Sequence, residues 1–392
     1  MNNFKYKLLV LFLCILSFSS IAASLLTGAA QTHLYLPLIK GKSVGMVVNQ
    51  TASIGNKHLV DSLLSLGIHI KKVFAPEHGF RGDHSAGEVV QSGTDPLTGL
   101  QVISLYGKNK KPSAADLAGI DYLIFDIQDV GARFYTYIST LHYVMEACAE
   151  NNIPLLVLDR PNPNGFYIDG PILDTAFHSF VGMHPVPIVH GCTMGEYAQM
   201  INGEKWLKKK IKCALKVIQM KGYTHLIKYE LPIRPSPNLP NQAAIYLYPS
   251  LCLFEGTSLS LGRGTDFPFE CVGKPKSTIG SFVFVPKSIK GVAEHPPFEN
   301  QACKGFLLRQ NGNEIAPRLK KIQLQWLIEF YNADSSKATF FTTFFNQLAG
   351  TNQLRKQIEM GMSEKQIRQS WSKGIAKYKV IRRKYLLYKD FE

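Results

Sequence analysis

The sequence predicts an α/β fold: a Rossmann-like parallel sheet with helices on both faces, joined to a smaller C-terminal α+β domain. Three observations carry this. Near-continuous apolar runs of strand length recur from residue 43 to about residue 220, without the polar alternation of a half-exposed strand. Segments with apolar residues at helical spacing separate these runs, which is the alternation that builds a parallel sheet. A proline- and asparagine-rich stretch, RPSPNLPNQAAIYLYPS at 234–250, then ends the regular pattern.

Taken in order, SVGMVVN (43–49) reads as a buried strand, HLVDSLLSLG (58–67) as a helix closed by a glycine, and IKKVFAP (70–76) as the next strand. QVISLYG (101–107), a short helix from Ser113 to Gly119, and the strand DYLIFDI (121–127) continue the theme. In the helix expected around 137–152, Ile138, Leu141, Met145 and Cys148 share one face. PLLVLD (154–159) is a strand, and the last round comprises PVPIV (185–189) as a strand, a helix from Gly195 to Asn202, and the strand ALKVIQM (214–220). Beyond the junction, GSFVFVP (280–286) reads as a strand and 318–331 and 364–372 as helices, the latter opened by a Ser363–Gln366 capping box. The chain therefore divides into a leader at 1–23, a Rossmann-like domain at 24–245 and the smaller domain at 246–392.

The leader rests on Lys5 and Lys7 before LLVLFLCIL (8–16) and the small residues that follow, a secretory signal with cleavage expected near Ala22 or Ala23. Nine apolar residues are too few to span a bilayer, so export to a periplasm or outside the cell is expected, without stable membrane insertion. Six of the seven cysteines remain after such a cleavage, scattered singly, and read as small buried apolar residues. The net charge is +15, with eleven Lys/Arg against four Asp/Glu in 351–392. That field suits a polyanion such as a cell-wall polymer, while a solvated helix face explains any single lysine equally well; export disfavours nucleic acid as a partner.

Ligands of an open parallel sheet bind at the carboxyl ends of its strands. Polar groups follow several of the inferred strands at that edge: Asn49, Glu77, Asp126 with Asp129, and Asp159. In FAPEHGFRGDHSAG (74–87), Gly79, Gly82 and Gly87 let the loop turn sharply behind Glu77, His78 and Arg81. A sheltered glutamate there is a candidate proton donor, its alternative being an ion pair with Arg81 or Arg133. DIQDVGARFYTY (126–137) collects acids, an amide, Arg133 and Tyr135, the groups a carbohydrate pocket uses, although Phe134 and Tyr135 also suit a core and Arg133 also suits a pairing with Asp129. LDRPNPNG (158–165) presents Arg160 and Asn162 on a proline-stiffened loop, HGCTMGEYA (190–198) offers His190, and Arg263 lies between two glycines. Thr193 and Glu196 have capping-box spacing, so Glu196 reads as a cap.

Other patterns fail. Gly41-Lys42-Ser43 lacks the upstream glycine of a phosphate loop, and no Gly-x-Gly-x-x-Gly follows the first strand, so no dinucleotide is implied. Glu77-His78 and Asp83-His84 lack a His-x-x-x-His or cysteine-rich partner set, and neither a metal nor another cofactor is expected.

EHGFRGDHSAGE, LIFDIQDVGARFYTYISTL, LDRPNPNG, HGCTMGEYA, PSPNLP, EGTSLSLGRGTDFPFE and the terminal RRKYLLY together resemble the exo-β-N-acetylmuramidase family, in order from about residue 35 to the end. The resemblance implies a glycosidase that removes N-acetylmuramic acid from the non-reducing end of peptidoglycan fragments, working in a cleft between a Rossmann-like domain and a smaller one. It places the glutamate of the family's EHG motif at Glu77; glycoside hydrolysis usually needs a second acid, and Asp126 or Asp129 is the candidate among the strand-end residues. His78, Arg81, Arg133, Tyr135, Arg160, Asn162, His190, Asn238 and Arg263 are the expected substrate contacts. An arginine among them, Arg133, Arg160 or Arg263, would pair with the lactyl carboxylate of muramic acid. Two competing readings remain at this point: an exported muropeptide-binding protein without turnover, and a metal-dependent hydrolase of an amide or ester in the same polymer.

Overall fold

The computed structural model describes residues 25–82 and 92–392. The leader, and within the 74–87 loop Asp83, His84 and Gly87, lie outside the described residues. Seven strands form the main sheet in the order β5-β6-β4-β1-β7-β8-β9: β1 (Ser43–Val48), β4 (His69–Ala75), β5 (Gly93–Thr94), β6 (Gln101–Ser104), β7 (Tyr122–Asp126), β8 (Leu155–Leu158) and β9 (Leu215–Ile218). A two-residue hairpin, β2 (Ser53–Ile54) with β3 (Lys57–His58), stands apart. Every pairing in the main sheet is parallel except the short edge strand β5, which runs antiparallel to β6 and was not expected.

The apolar runs are continuous because both faces are covered. Val47, Phe74 and Phe125 point into one core, while Val48, Val73 and Ile124 point into the other. Helices α1 (Thr32–Ile39) and α2 (Leu59–Ser65) cover the second face with Tyr35, Ile39, Leu59 and Leu63. Helices α3 (Tyr137–Glu150) and α4 (Met194–Gly203) cover the first with Ile138, Leu141, Met145, Tyr197 and Ile201. That first core does not stop at the junction, since it runs on through Leu251, Phe254, Phe330, Phe345 and Trp371. The junction itself folds in part as helix α5 (Gln242–Leu251), capped by Asn241.

After it come a three-stranded antiparallel sheet in the order β10-β12-β11, from Cys271–Lys274, Cys303–Leu307 and Phe282–Phe284, and helices including α6 (Gln325–Ala333), α7 (Thr343–Ala349) and α8 (Glu364–Arg383). PVPIV is not a strand of the sheet; Pro185 and Pro187 remove two ladder donors, and only Val189 makes bridges, to Ala132 and Asp169. The helix expected at 318–331 is broken by Lys320, whose backbone is left-handed. The helix expected at 364–372 runs on to Arg383, because Ile367, Trp371 and Tyr378 form a buried stripe whose packing outweighs Gly374. All six described cysteines are buried free thiols. No helix among the described residues is long and apolar enough to cross a membrane.

Arg133 ties the two regions together. Its Nη1 donates to the carbonyls of Pro171 and Val186 (2.9 and 2.7 Å), and its Nη2 to those of Leu348 and Ala349 at the end of α7 (3.0 and 2.7 Å). It is fully buried, and Gly350 makes the approach possible: a Cβ there would lie 2.5 Å from Nη2. Arg133→Met removes four donors from buried carbonyls at one stroke. We expect denaturant unfolding to show a loss of about 3 to 5 kcal/mol, against under about 1 kcal/mol if the knot contributes little.

Candidate active site

A cleft of about 940 Å³ opens over the carboxyl end of the sheet, between that edge and the C-terminal region. This lies in the upper part of the size range for small-molecule sites. Its sheet-side wall holds Glu77, His78, Tyr106, Tyr135 and Thr136; Glu255, Arg263, Phe269 and the segment Val292–Phe298 face it from the other region.

Glu77 follows β4 in a tight turn in which the Gly79 amide donates to the Pro76 carbonyl at 3.1 Å. His78 and Gly79 both have positive φ, 73° and 80°, so the chain doubles back and leaves Glu77 at the apex, half-buried. Thr136 Oγ1 donates to Glu77 Oε2 at 3.1 Å. Tyr106 lines the same wall, where burial followed by the charge of Glu77 raises the tyrosine's pKa. Beneath the turn, Asn49 Nδ2 donates to the Tyr137 hydroxyl at 2.9 Å, and that hydroxyl lies 3.4 Å from the carbonyls of both Glu77 and Pro235. The Tyr135 hydroxyl donates to Pro235 as well, at 2.9 Å, and its ring meets Tyr137 edge to face at 4.8 Å. One polar net thus fixes the Glu77 backbone and the start of the PSPNLP segment together.

Across the cleft, Arg263 Nε donates to Glu255 Oε1 at 3.0 Å, with Nη2 on the same oxygen, and the guanidinium sits 4.9 Å over the Phe269 ring. Phe134, Phe180, Leu239, Tyr248, Leu261 and Phe344 supply the apolar surface between these poles.

Of the residues singled out in the sequence, Glu77, His78, Tyr135, Asn238 and Arg263 line this cleft; the others do not. Asp126 is fully buried in a two-pronged pairing with Arg160, whose Nη2 meets Asp126 Oδ2 at 2.8 Å and also donates to the Ser53 carbonyl. Asp129 is buried behind Tyr135, accepting from the Gly131 amide at 2.7 Å, with His190 Nε2 at 3.7 Å. Asn162 closes the loop that follows β8, donating to the Cys192 carbonyl at 2.8 Å and accepting from the Asn164 amide. Arg81 pairs with Asp95 and Asp61 at 2.9 and 3.3 Å. Arg133 is the knot described above. Tyr106, Thr136, Glu255 and segment 292–298 were not singled out. Tyr106 follows β6, so the strand-end rule that found Glu77 reaches it too. Thr136 and Glu255 sit inside quoted motifs, whereas nothing in EHPPF marks a cleft wall. Among the described residues, no group of three or more His, Cys, Asp or Glu side chains is arranged to hold a metal ion.

Asp159, the remaining strand-end acid, is a structural anchor. Its oxygens accept from Thr193 Oγ1 (2.7 Å), the Gly195 amide (2.8 Å), the Arg160 amide (3.1 Å) and the Tyr388 hydroxyl (2.6 Å), which pins the C-terminal segment to β8 and α4. The Thr193–Glu196 capping box is formed, and Glu196 also receives His225 and the Leu387 amide. Burial pushes the Asp159 pKa up from 3.8 to about 6, against the hydrogen bonds that lower it. The folded chain therefore holds a proton that the unfolded chain releases. This contribution to stability is fully present below about pH 3.8 and lost as pH rises through about 6. Relative to Asp159→Asn, wild-type stability should fall by about 2 kcal/mol between pH 4 and pH 7, at roughly 1.4 kcal/mol per pKa unit; a pH-independent difference in denaturant titrations would refute this.

Residues 44–243 match the family described as exo-beta-N-acetylmuramidase NamZ, N-terminal, and residues 246–388 match its C-terminal counterpart. The chain is 38% identical over 373 residues to the peptidoglycan beta-N-acetylmuramidase NamZ of Bacillus subtilis (strain 168), covering 90% of this chain and 89% of that one. A crystal structure of a DUF1343 family protein from Bacteroides fragilis NCTC 9343 is similar at TM-score 0.88 and 46% identity, covering 94% of this chain and 100% of that chain. A second protein of that family from the same organism gives TM-score 0.76 at 27% identity, covering 93% and 99%.

Proposed function

The chain belongs to the exo-β-N-acetylmuramidase family and is a glycoside hydrolase, and from that premise we propose Glu77 as the proton donor to the leaving glycosidic oxygen. The observation that carries this reading is its placement: a half-buried carboxylate on the cleft wall at the carboxyl end of the sheet, accepting from the Thr136 hydroxyl. The substrates are peptidoglycan fragments whose non-reducing end is N-acetylmuramic acid. Asp126 does not act as the second acid in this scheme, because Arg160 holds both of its oxygens in the interior. Asp129 is buried and does not line the cleft either. Glu255 faces the same cleft from the other region and carries the second negative charge, positioned by Arg263.

Arg263 is the arginine that reads the lactyl carboxylate. Of the three guanidinium groups considered from the sequence, those of Arg133 and Arg160 are committed to buried partners, while Arg263 lines the cleft with Nη1 making no hydrogen bond among the described residues. A substrate carboxylate there would share the cation with Glu255 above the apolar face of Phe269. Replacement by Met should lower kcat/KM for a muramic acid glycoside at least tenfold more than for its lactyl methyl ester. Equal losses on the two would remove Arg263 from this role.

General acid catalysis has its own kinetic signature. Glu77→Gln should reduce turnover of a disaccharide with terminal N-acetylmuramic acid by about 100-fold or more. On the 4-nitrophenyl glycoside, whose leaving group needs little protonation, the loss should be much smaller. A folded variant that cleaves the disaccharide at the parental rate would show that the donor lies elsewhere.

A further inference from the structure

One residue lining the cleft, Asn238, carries a buried acceptor that no described group uses. Asn238 lies in a turn over Ser236–Leu239, in which the Leu239 amide donates to the Ser236 carbonyl at 3.1 Å. Pro235, Pro237 and Pro240 stiffen the turn, and Tyr135 and Tyr137 anchor it through the Pro235 carbonyl beside the Glu77 turn. Asn238 is 1% exposed and lines the cleft. Its Nδ2 donates to the Val292 carbonyl at 2.8 Å, which fixes the orientation of the amide. Its Oδ1 is buried without a hydrogen-bond partner. Leaving such an oxygen unmatched is costly, and the group most able to satisfy it is a donor pressed against this wall.

We propose that Asn238 Oδ1 is the acceptor for the 2-acetamido N–H of the terminal sugar, and so a specificity-determining contact. The inference rests on the glycosidase reading above and extends it to one substituent. The donor must suit both the oxygen and its surroundings. Leu239, Val292 and Ala293 line the cleft around the amide, an apolar setting that suits the acetyl methyl group. A 2-deoxy sugar would leave the oxygen unmatched. The tie to Val292 also holds the far wall in register, so the same side chain shapes the pocket with one end of its amide and reads the ligand with the other.

The test uses two 4-nitrophenyl β-glycosides, that of N-acetylmuramic acid and its 2-deoxy counterpart carrying hydrogen at C2, with wild type, Asn238→Ala and Asn238→Leu. The readout is the ratio of kcat/KM between the two glycosides, so losses from misplacing the 292–298 wall, common to both, cancel. Leu keeps the Cγ branching of Asn without its polar atoms and provides a second variant should the alanine protein not fold. The expected result is a fall in the ratio of more than fivefold in the folded variants, mainly through loss on the acetamido substrate. A smaller change, with both substrates slowed alike, overturns the proposal and leaves Asn238 as a tie to Val292 alone. A failure of the Glu77 assignment would appear in the Glu77→Gln leaving-group comparison and would not alter this ratio.

Discussion

The cleft exists because a cation has been buried without a carboxylate. Arg133 holds two carbonyls of the N-terminal region and two at the end of α7, and its side chain is fully enclosed. Removing a guanidinium from water is expensive, and dipoles of backbone carbonyls repay this only when several converge. The four distances leave little freedom for the regions to slide, since a shift of an ångström at α7 would break two bonds to a charged donor. Gly350 serves the same end twice over. Its φ of 71° closes the helix, and its missing side chain is what admits Nη2.

A rigid seam on one side leaves the catalytic side free to be open. The buried charges divide accordingly. Asp126 with Arg160, and Asp159 with its four donors, stiffen the strand ends from below. These groups are held by their partners in the interior and do not line the cleft. Glu77 differs in place, since it stands on the cleft wall and accepts there from the Thr136 hydroxyl. The cleft's cation, Arg263, is meanwhile supported by Phe269 beneath it and Glu255 beside it, so its fork is presented in a defined plane.

Much of this was legible in the sequence, for physical reasons that also mark where legibility ends. Strand runs such as SVGMVV and YLIFD could be read because burial on both faces demands continuous apolar residues, and the strand-end rule placed Glu77 at the correct edge. The rule could not tell Glu77 from Asp126 or Asp159. That distinction lies in partners far away in the chain: Arg160 is 34 residues from Asp126, and Tyr388 is 229 from Asp159. Arg133 looked like a ligand fork because nothing local reveals the carbonyls that claim it 215 and 216 residues later. PVPIV misled through its apolar composition, when its two prolines already argued against a ladder. The wall at 292–298 gave no signal, since shape made by irregular backbone has no period to detect.

The turn that carries Glu77 shows how a fold brings a side chain out of the sheet at some cost to itself. Ideal strand geometry alternates side chains above and below the sheet, and neither direction faces a cleft lying beyond the strand ends. A residue must leave the sheet within one turn to face that cleft, and the left-handed backbone at His78 and Gly79 achieves this. Glycine adopts such angles freely, as at Gly79, whereas a histidine there is strained by of order 1 kcal/mol. Surroundings that over-determine the turn can hold it: the Pro76–Gly79 hydrogen bond from within, and Tyr137 on the Glu77 carbonyl from beneath. Since Tyr137 is fixed by Asn49 at the end of the central strand β1, the sheet core reaches the Glu77 backbone through a single side chain.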